Sequence, residues 1–240
     1  MEKVCNEIVE WLKAKVKEAG GKGLVFGLSG GIDSAVIAAL AKRAFPENSL
    51  GIIMPCHSDP KDEEDGLLVA RELDLKTVKV DLSNTFDELV KSAAIEEANN
   101  LAIANIKPRL RMTTLYYFAQ NYNYLVVGSS NKSEFTIGYF TKHGDSGVDL
   151  LPLASFVKRD IYRMAEFLNI PREIIEKPPS AGLWENQTDE DEMGFGYDVL
   201  DDYILNRSGP EEIVERIEKM NKASEHKRNY PPIFIPENRK

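Results

Sequence analysis

The amino-acid sequence predicts an α/β protein built on a doubly wound, mostly parallel sheet that is flanked by helices. Three observations predict this fold. Four short apolar segments, each suited to a buried strand, recur along the first half of the chain. Helical stretches separate these segments, as the crossover connections of parallel strands require. A glycine-rich turn follows the first apolar segment, and the end of the chain is predicted to form C-terminal helices.

The predicted strands and helices alternate in chain order. Apolar runs predict strands at residues 24–28, 50–54, 77–80 and 124–127. Helical spacing or composition predicts helices at residues 35–45, 62–73, 85–105 and 109–120. The first of these helices is rich in alanine and ends before Pro46. Right-handed crossovers would place these helices on both faces of one sheet.

The second half of the chain has a different character. Residues 138–147 are rich in glycine and charge and are predicted to form a loop. Prolines and a run of acidic residues predict a mobile loop over residues 176–193. Helices are predicted at residues 158–168, 197–206 and 211–224. The tail beyond them is too rich in proline to form a helix.

Composition limits the classes of function. The chain has 240 residues and a formal net charge of -9, which disfavours a nucleic-acid partner because phosphate contacts need a basic surface. No segment approaches the roughly 20 apolar residues of a membrane span, and the N-terminus is predicted to be a helix packed on its own domain. The two cysteines, Cys5 and Cys56, cannot form a disulfide framework, which suits a reducing cytoplasm. We expect one domain over residues 1–240.

The glycine-rich turn at residues 29–34 predicts a phosphate site. It reads Ser-Gly-Gly-Ile-Asp-Ser and joins the first predicted strand to its helix. A helix start presents free N–H groups, and Gly30 and Gly31 let a phosphate approach the backbone closely. Asp33 would repel a phosphate unless a divalent metal lies between them, and Mg²⁺ commonly binds one or two carboxylates plus substrate phosphates. The alternative is a simple glycine turn in which Asp33 or Ser34 caps the helix.

This turn resembles the pyrophosphate loop of the N-type ATP pyrophosphatases. Further segments resemble one family of that superfamily, the NAD synthetases; they are residues 105–112, 128–134, 140–145, 149–153, 158–159, 179–183 and 225–228. The segments come in the family order and span nearly the whole chain. The resemblance implies an adenine nucleotide alpha hydrolase-like fold and ammonia-dependent NAD synthesis. In that reaction ATP, deamido-NAD and ammonia give NAD, AMP and diphosphate, as the last step of NAD biosynthesis.

The resemblance implies a role for each matching residue. The residues implied in ATP binding are Gly27, Leu28, Ser29, Gly30, Gly31, Ile32, Asp33, Ser34, Ser129, Lys158 and Ser180. Those implied in binding deamido-NAD are Arg109, Lys142, Asp149, His226 and Lys227. Asp33 and Glu134 are implied as magnesium ligands, and both are candidates for catalysis together with Lys158. Ser129 and Ser180 stand where the family often has threonine, and each still supplies a hydroxyl.

The implied reaction has two steps. The nicotinate carboxylate attacks the α-phosphorus of ATP, and ammonia then attacks the acyl carbon of the adenylate. Magnesium and Lys158 would stabilise charge on the phosphates, and residues 176–193 would shield the adenylate as a lid. We hypothesise that Asp145 helps to deprotonate ammonium. No segment is left for a glutaminase domain, and the resemblance implies a homodimer with the dinucleotide site at its interface. The aromatic-rich residues 115–118 are candidates for that interface.

Several of these residues also have a simpler interpretation. Without the resemblance, Glu134 is equally well a solvent-facing helix acid, and Lys158 is a surface lysine. A lysine at a helix start opposes the helix dipole, however, which suits a lysine aimed at phosphate. Arg111 is expected to face away from Arg109 and pair with an acid, and residues 115–118 are alternatively core. The rival functions are another ATP pyrophosphatase, such as a GMP synthetase core or a tRNA-thiolating enzyme, and a nucleotide-binding sensor without catalysis.

Overall fold

The computed structural model describes residues 1–180, 182 and 188–237 and contains a four-stranded parallel sheet. The strands are β1 (Gly23–Gly27), β2 (Ser49–Ile53), β3 (Lys76–Lys79) and β4 (Tyr124–Val126). Their order in the sheet is β3-β2-β1-β4, and each neighbouring pair is parallel. The predicted parallel sheet is therefore confirmed, and β1 is an interior strand between β2 and β4.

Helices surround this sheet. The helices up to β4 are α1 (Glu2–Glu18), α2 (Ile32–Ala44), α3 (Pro60–Glu72), α4 (Ser83–Ala93), α5 (Asn100–Ala104) and α6 (Ile106–Tyr122). Those after β4 are α7 (Lys132–Ile137), α8 (Lys158–Phe167), α9 (Arg172–Ile175), α10 (Asp189–Met193), α11 (Tyr197–Asn206), α12 (Glu211–Ala223) and α13 (Glu225–Arg228). Over the described residues, none of the helices is long and apolar enough to cross a membrane.

Two apolar cores cover the two faces of the sheet. Successive strand residues point to opposite faces, and β1 divides its side chains accordingly. Leu24 and Phe26 join a core with α1, α2 and α8, whereas Val25 joins a core with α4 and α6. The doubly wound arrangement follows from this division. The apolar face of α1 packs against α2, which confirms that the N-terminal helix belongs to this domain.

The helix predicted over residues 85–105 is wrong in its middle. α4 ends at Ala93, and Ala94 has a left-handed conformation with φ 50°. α5 begins only at Asn100, where the side chain of Asn99 accepts a hydrogen bond from the amide of Ala102 at 3.1 Å. Because asparagine competes well for such caps, the Asn-Asn pair restarts a helix that the composition predicted to be continuous.

The loop predicted over residues 176–193 is only partly irregular. Its C-terminal end forms α10, which begins behind the capping side chain of Thr188. Residues 181 and 183–187 lie outside the described part of the chain. Met193 then enters a third apolar core with α7, α11 and α12. The proline-rich tail forms no helix over residues 230–236, as predicted.

The break between α4 and α5 gives a stability test with opposite signs at two neighbouring alanines. Ala94→Gly should stabilise the protein by up to about 1 kcal/mol, because glycine adopts a positive φ without a clash. Ala93→Gly should destabilise it by up to about 1 kcal/mol, since this residue is helical. Urea unfolding followed by circular dichroism measures both changes. Two shifts of the same sign would contradict the helix break.

Candidate active site

A cavity of about 610 Å³ opens at the carboxyl ends of the strands. This is where ligands bind in open parallel sheets. Residues from the turn after β1, from β2, α6, α7, α8 and the loop before α10 line the cavity. Of the residues predicted to act, the lining includes Gly27, Leu28, Ser29, Gly31, Ile32, Asp33, Ser34, Ser129, Glu134, Asp145, Lys158, Ser180 and Lys227. The structure therefore brings most of the predicted ATP-binding residues to one place.

The glycine turn is shaped by close packing against α3. Gly30 has φ +78°, and a Cβ atom there would lie 2.6 Å from the carbonyl oxygen of Asp62. Gly31 is the N-cap of α2, with no side chain capping the helix. The Ser34 hydroxyl donates to the Gly31 carbonyl oxygen at 2.9 Å and lies 3.0 Å from the Ser29 hydroxyl. The alternative in which Asp33 or Ser34 caps α2 is therefore wrong, and the helix start remains open to an anion.

Three charged side chains from distant segments meet beside this turn. The Lys158 Nζ atom lies 2.6 Å from Asp33 Oδ2 and 3.4 Å from Glu134 Oε1. The Asn131 side-chain amide donates to Asp33 Oδ1 at 2.9 Å. Lys158 is only 2% exposed, so the surface-lysine interpretation is wrong. Glu134 is likewise largely buried in this cluster and does not face bulk solvent.

Burial and charge shift the pKa values of this cluster. Desolvation, followed by the charge of Asp33, raises the pKa of Glu134 to about 8. Desolvation alone would lower the pKa of Lys158, but the charges of Asp33 and Glu134 outweigh it and raise that pKa above its ordinary value. Lys158 therefore stays protonated, and its single charge is shared between two acids.

Helix α7 fixes Glu134 through its own first turn. The Asn131 side chain accepts from the Glu134 amide at 3.0 Å, while the Glu134 carboxylate accepts from the Asn131 amide at 3.4 Å. This reciprocal pair is a capping box, for which an Asn followed three residues later by Glu is the sequence signal. Asn131 was not predicted as a site residue, although this signal is present in the sequence.

Two further residues, neither of them predicted as a site residue, complete the back wall of the cluster. The Tyr197 hydroxyl donates to Asp189 Oδ2 at 2.7 Å and lies 3.5 Å from Glu134 Oε1. The ring of Tyr197 packs against the Lys158 ammonium, with 4.9 Å between Nζ and the ring centroid. Burial raises the pKa of Tyr197 and of Asp189, so both favour the neutral form more than they would in water.

Of the residues predicted to bind the dinucleotide, Lys227 lines the cavity, whereas the described lining does not include Arg109, Lys142, Asp149 or His226. The guanidinium of Arg109 donates to the carbonyl oxygen of Lys142 at 3.3 Å. The Lys142 Nζ atom donates to the carbonyl oxygen of His226 at 2.7 Å. The Lys227 Nζ atom donates to the carbonyl oxygens of Gly138 and Phe140, both at 2.8 Å. The C-terminal segment is thus tied to the loop after α7 by main-chain acceptors.

Asp149 has a structural contact that the sequence did not suggest. Its Oδ2 accepts from the Val126 amide at 2.8 Å, and its Oδ1 accepts from the Tyr116 hydroxyl at 3.0 Å. Asp145 accepts from the Thr141 amide at 2.9 Å and lines the cavity. Burial raises the pKa of the Asp145 carboxyl.

Arg111 and Lys177 make contacts that were not predicted from the sequence. Arg111 lines the cavity and donates to the Met54 carbonyl oxygen at 3.1 Å and the Ser58 hydroxyl at 3.2 Å, and in the described part of the chain it does not form the ion pair with an acid that was expected. Lys177 was not singled out. Its Nζ atom lies 2.8 Å from Asp62 and 2.7 Å from Asp65, which anchors the segment leading to Ser180 beside the glycine turn.

The raised pKa of Glu134 predicts a pH-dependent stability of the ligand-free protein. Between about pH 4.5 and about pH 8 the folded state holds a proton that the unfolded chain has lost, so stability falls as pH rises through this window. In the presence of a chelator and without nucleotide, the urea midpoint of the wild type should fall as the pH rises through this window. The midpoint of Glu134→Gln should fall less over the same range. The matched control Glu166→Gln replaces an exposed glutamate. Parallel profiles for Glu134→Gln and the wild type would contradict the shift.

Comparison with known proteins identifies the family. The NAD synthase family model matches residues 4–231. An NH(3)-dependent NAD(+) synthetase of Carboxydothermus hydrogenoformans is 52% identical, with 97% of each chain covered. A solved NMN synthetase from Francisella tularensis is 34% identical, with a TM-score of 0.93 and 98% of both chains covered. The NH3-dependent NAD synthetase from Campylobacter jejuni is 31% identical, with a TM-score of 0.81 and the same coverage. These matches cover most of the chain, and the chain therefore belongs to the NAD synthase family.

Proposed function

We propose that the protein is an ammonia-dependent NAD synthetase that makes NAD from deamido-NAD, ATP and ammonia. The observation that carries this proposal is the buried Lys158 ammonium between Asp33 and Glu134, beside an open helix start. Burying two acids and a lysine together is costly. A nucleotide-binding sensor without catalysis would gain nothing that offsets this cost. The family relatives supply the name of the reaction, and the cluster supplies the groups that the reaction requires.

The ATP triphosphate would lie against the glycine turn. The first amides of α2 carry partial positive charge and have no side-chain cap. Ser129 and Ser180 line the same cavity and would supply hydroxyls, and Lys158, which lies beside the turn, would contact the phosphates. A carboxylate is a poor electrophile, so activation by ATP must precede amide formation.

Asp33 and Glu134 fit a magnesium ion. Both are acidic, both lie within reach of one ammonium, and Mg²⁺ commonly combines one or two carboxylates with substrate phosphates. Over the described residues there is no group of three or more acids, histidines or cysteines arranged to hold a metal alone. The proposed ion would therefore need the ATP phosphates as further ligands. A bound magnesium would neutralise part of the triphosphate charge there.

Two bond exchanges complete the reaction. A nicotinate carboxylate oxygen bonds to the α-phosphorus, and the bond from that phosphorus to the diphosphate oxygen breaks. Ammonia then bonds to the acyl carbon, gives up a proton, and the bond from that carbon to the AMP oxygen breaks. Lys158 would offset the charge growing on the phosphates. Asp145 faces the cavity with a raised pKa, which suits a group that takes a proton from ammonium.

The dinucleotide would lie beside Lys227, which lines the cavity, and the basic residues that neighbour it. Arg109, Lys142 and Lys227 donate to main-chain carbonyl oxygens, and in the described part of the chain none of them forms an ion pair within 4 Å. A pyrophosphate would therefore gain charge-assisted hydrogen bonds there. His226, whose carbonyl oxygen accepts from Lys142, and Asp149 would complete the contacts to deamido-NAD.

A homodimer would use the exposed aromatic surface of α6. Tyr117 is 66% exposed, and the C-terminal tail exposes Tyr230, Ile233 and Phe234. Large exposed apolar side chains of this kind, where they form a patch, mark interaction sites. Leu115 is buried, so within residues 115–118 the core interpretation holds for that residue. The free, buried thiols of Cys5 and Cys56 agree with the proposed location in the cytoplasm.

Amidation of nicotinate mononucleotide is the second candidate reaction. The close likeness to a solved NMN synthetase favours it. The mononucleotide carries the same nicotinate carboxylate and would need the same activation by ATP. Sequence relatives more than 50% identical over nearly the whole chain bear the name NAD synthetase, and this favours the dinucleotide.

One assay separates these functions. The protein should convert deamido-NAD to NAD with ATP, Mg²⁺ and ammonium, and release AMP and diphosphate in equal amounts. Nicotinate mononucleotide in a parallel reaction should turn over more slowly. A preference for the mononucleotide would establish the second candidate. Formation of AMP only with xanthylate or tRNA would indicate another ATP pyrophosphatase, and binding of ATP without turnover would indicate a sensor.

Replacing Lys158 tests the proposed catalytic group. Lys158→Met should lower kcat by about 10²–10³-fold, the usual loss when one preorganised donor to a developing charge is removed. The control Arg163→Met lies on the same helix and changes an exposed cation, whose one ion pair in the described part of the chain is with Asp160 at 3.5 Å. Its kcat should match the wild type. A Lys158→Met enzyme with wild-type kcat would exclude a role in catalysis.

The proposed dimer is tested on the exposed face of α6. Sedimentation velocity should give twice the mass of one chain for the wild type. Tyr117→Ser should shift this equilibrium toward monomer, because it removes apolar area from the proposed interface. Leu205→Ser changes an exposed apolar residue on α11 and should leave the dimer intact. A wild-type monomer at micromolar concentration would exclude the dimer.

A further inference from the structure

A buried carboxylate on α11 lies directly behind the charged cluster. Asp201 is fully buried. Its Oδ1 accepts from the Ser133 hydroxyl at 2.5 Å and from the Lys158 amide at 3.4 Å. Its Oδ2 accepts from the Arg159 amide at 2.8 Å. One carboxylate therefore joins the starts of α7 and α8, the two helices that carry Glu134 and Lys158.

Asp201 supplies the cap that α8 lacks. Val157 is the N-cap residue of α8 and has no polar side chain to offer the first amides. Those amides would otherwise be unpaired donors in the interior, which is costly. A carboxylate at a helix start is also favoured by the dipole, whereas the Lys158 ammonium at the same end is disfavoured. The anion from α11 thus offsets the unfavourable placement of the lysine.

Ser133 extends the contact to the other helix. Its hydroxyl accepts from the Lys158 amide at 3.1 Å while it donates to Asp201. Because Ser133 precedes Glu134, this short chain of hydrogen bonds fixes the separation between the Lys158 and Glu134 backbones. A shift of either helix start would change the distance between their charged ends.

We propose that Asp201 is a positioning residue for the amide-forming reaction, which holds the start of α8 so that the Lys158 ammonium stays against Asp33 and Glu134. The inference rests on the proposed function. Asp201 touches neither substrate nor the Lys158 side chain and acts through the main chain of α8. A misplacement of about 1 Å in such a group costs up to about 10²-fold in rate.

The neighbouring acid provides a matched control. Asp202 lies on the same helix and carries the same charge, but its side chain is 45% exposed and binds the Arg159 guanidinium at 2.9 Å. No hydrogen bond joins it to an amide of α8 in the described structure. Asp201→Asn and Asp202→Asn therefore remove the same charge one residue apart, and only the first disturbs the helix start.

The experiment measures kcat and KM for NAD synthesis in both variants. Asp201→Asn should lower kcat by about tenfold or more and change KM for ATP by less than about threefold. Asp202→Asn should retain the wild-type kcat. In a Lys158→Met background, examined under single-turnover conditions, Asp201→Asn should cause no further loss of rate, although it should still lower the urea midpoint. That separation of rate from stability distinguishes positioning from a general weakening of the fold.

The outcomes that overturn the inference are distinct from failure of the proposed function. A wild type that forms no NAD refutes the function. A wild type that forms NAD, with equal kcat in Asp201→Asn and Asp202→Asn, refutes the positioning role. The positioning role is also refuted if Asp201→Asn lowers the rate by the same factor in the wild type and in the Lys158→Met background. If Asp201→Asn does not fold, Ser133→Ala removes one link of the same chain and should lower kcat, and an unchanged kcat in that variant again refutes the role.

Discussion

The site depends on one buried ammonium shared by two carboxylates. Burying Lys158 alone would cost several kcal/mol, and the fold offsets this cost with Asp33 at 2.6 Å and Glu134 at 3.4 Å. Removing the lysine would leave two largely buried acids close to each other without a cation, and removing both acids would leave a buried cation without an ion pair. Because the three residues come from distant segments, the cluster forms only when the sheet and the helices around it have assembled.

The parallel sheet explains why these segments meet. All of its strands end at one edge, and the helices that follow β1 and β4 begin there. Asp33 and Glu134 each lie in the first turn of such a helix, where the dipole favours an acid. Lys158 is the exception, since it opens α8 against the dipole. The buried Asp201 carboxylate at the same helix start removes that conflict.

Local patterns predicted the parts of the molecule that local physics determines. The apolar runs gave all four strands, and the glycine turn gave the loop beside the cavity, because burial and positive φ leave direct marks in the sequence. Contacts between distant residues leave no such mark. Asp201 and Asp202 are adjacent acids that look alike in the sequence, yet one is fully buried and the other is half exposed. Lys177 is likewise distinguished only by the α3 acids that its ammonium reaches.

The glycine turn and the region around Lys227 hold their charged groups differently, and this difference bears on the ligand that each would bind. At the glycine turn Lys158 lies between Asp33 and Glu134, and the raised pKa of Glu134 favours its protonated form near neutral pH. A magnesium ion bound with the triphosphate would displace that proton and make both carboxylates available as ligands. Lys142 and Lys227 donate instead to neutral main-chain carbonyl oxygens, so a phosphate group would accept charge-assisted hydrogen bonds from them without a metal. On the proposed function, the triphosphate with its magnesium would therefore bind at the turn, and the bridging pyrophosphate of the dinucleotide would bind near Lys142 and Lys227.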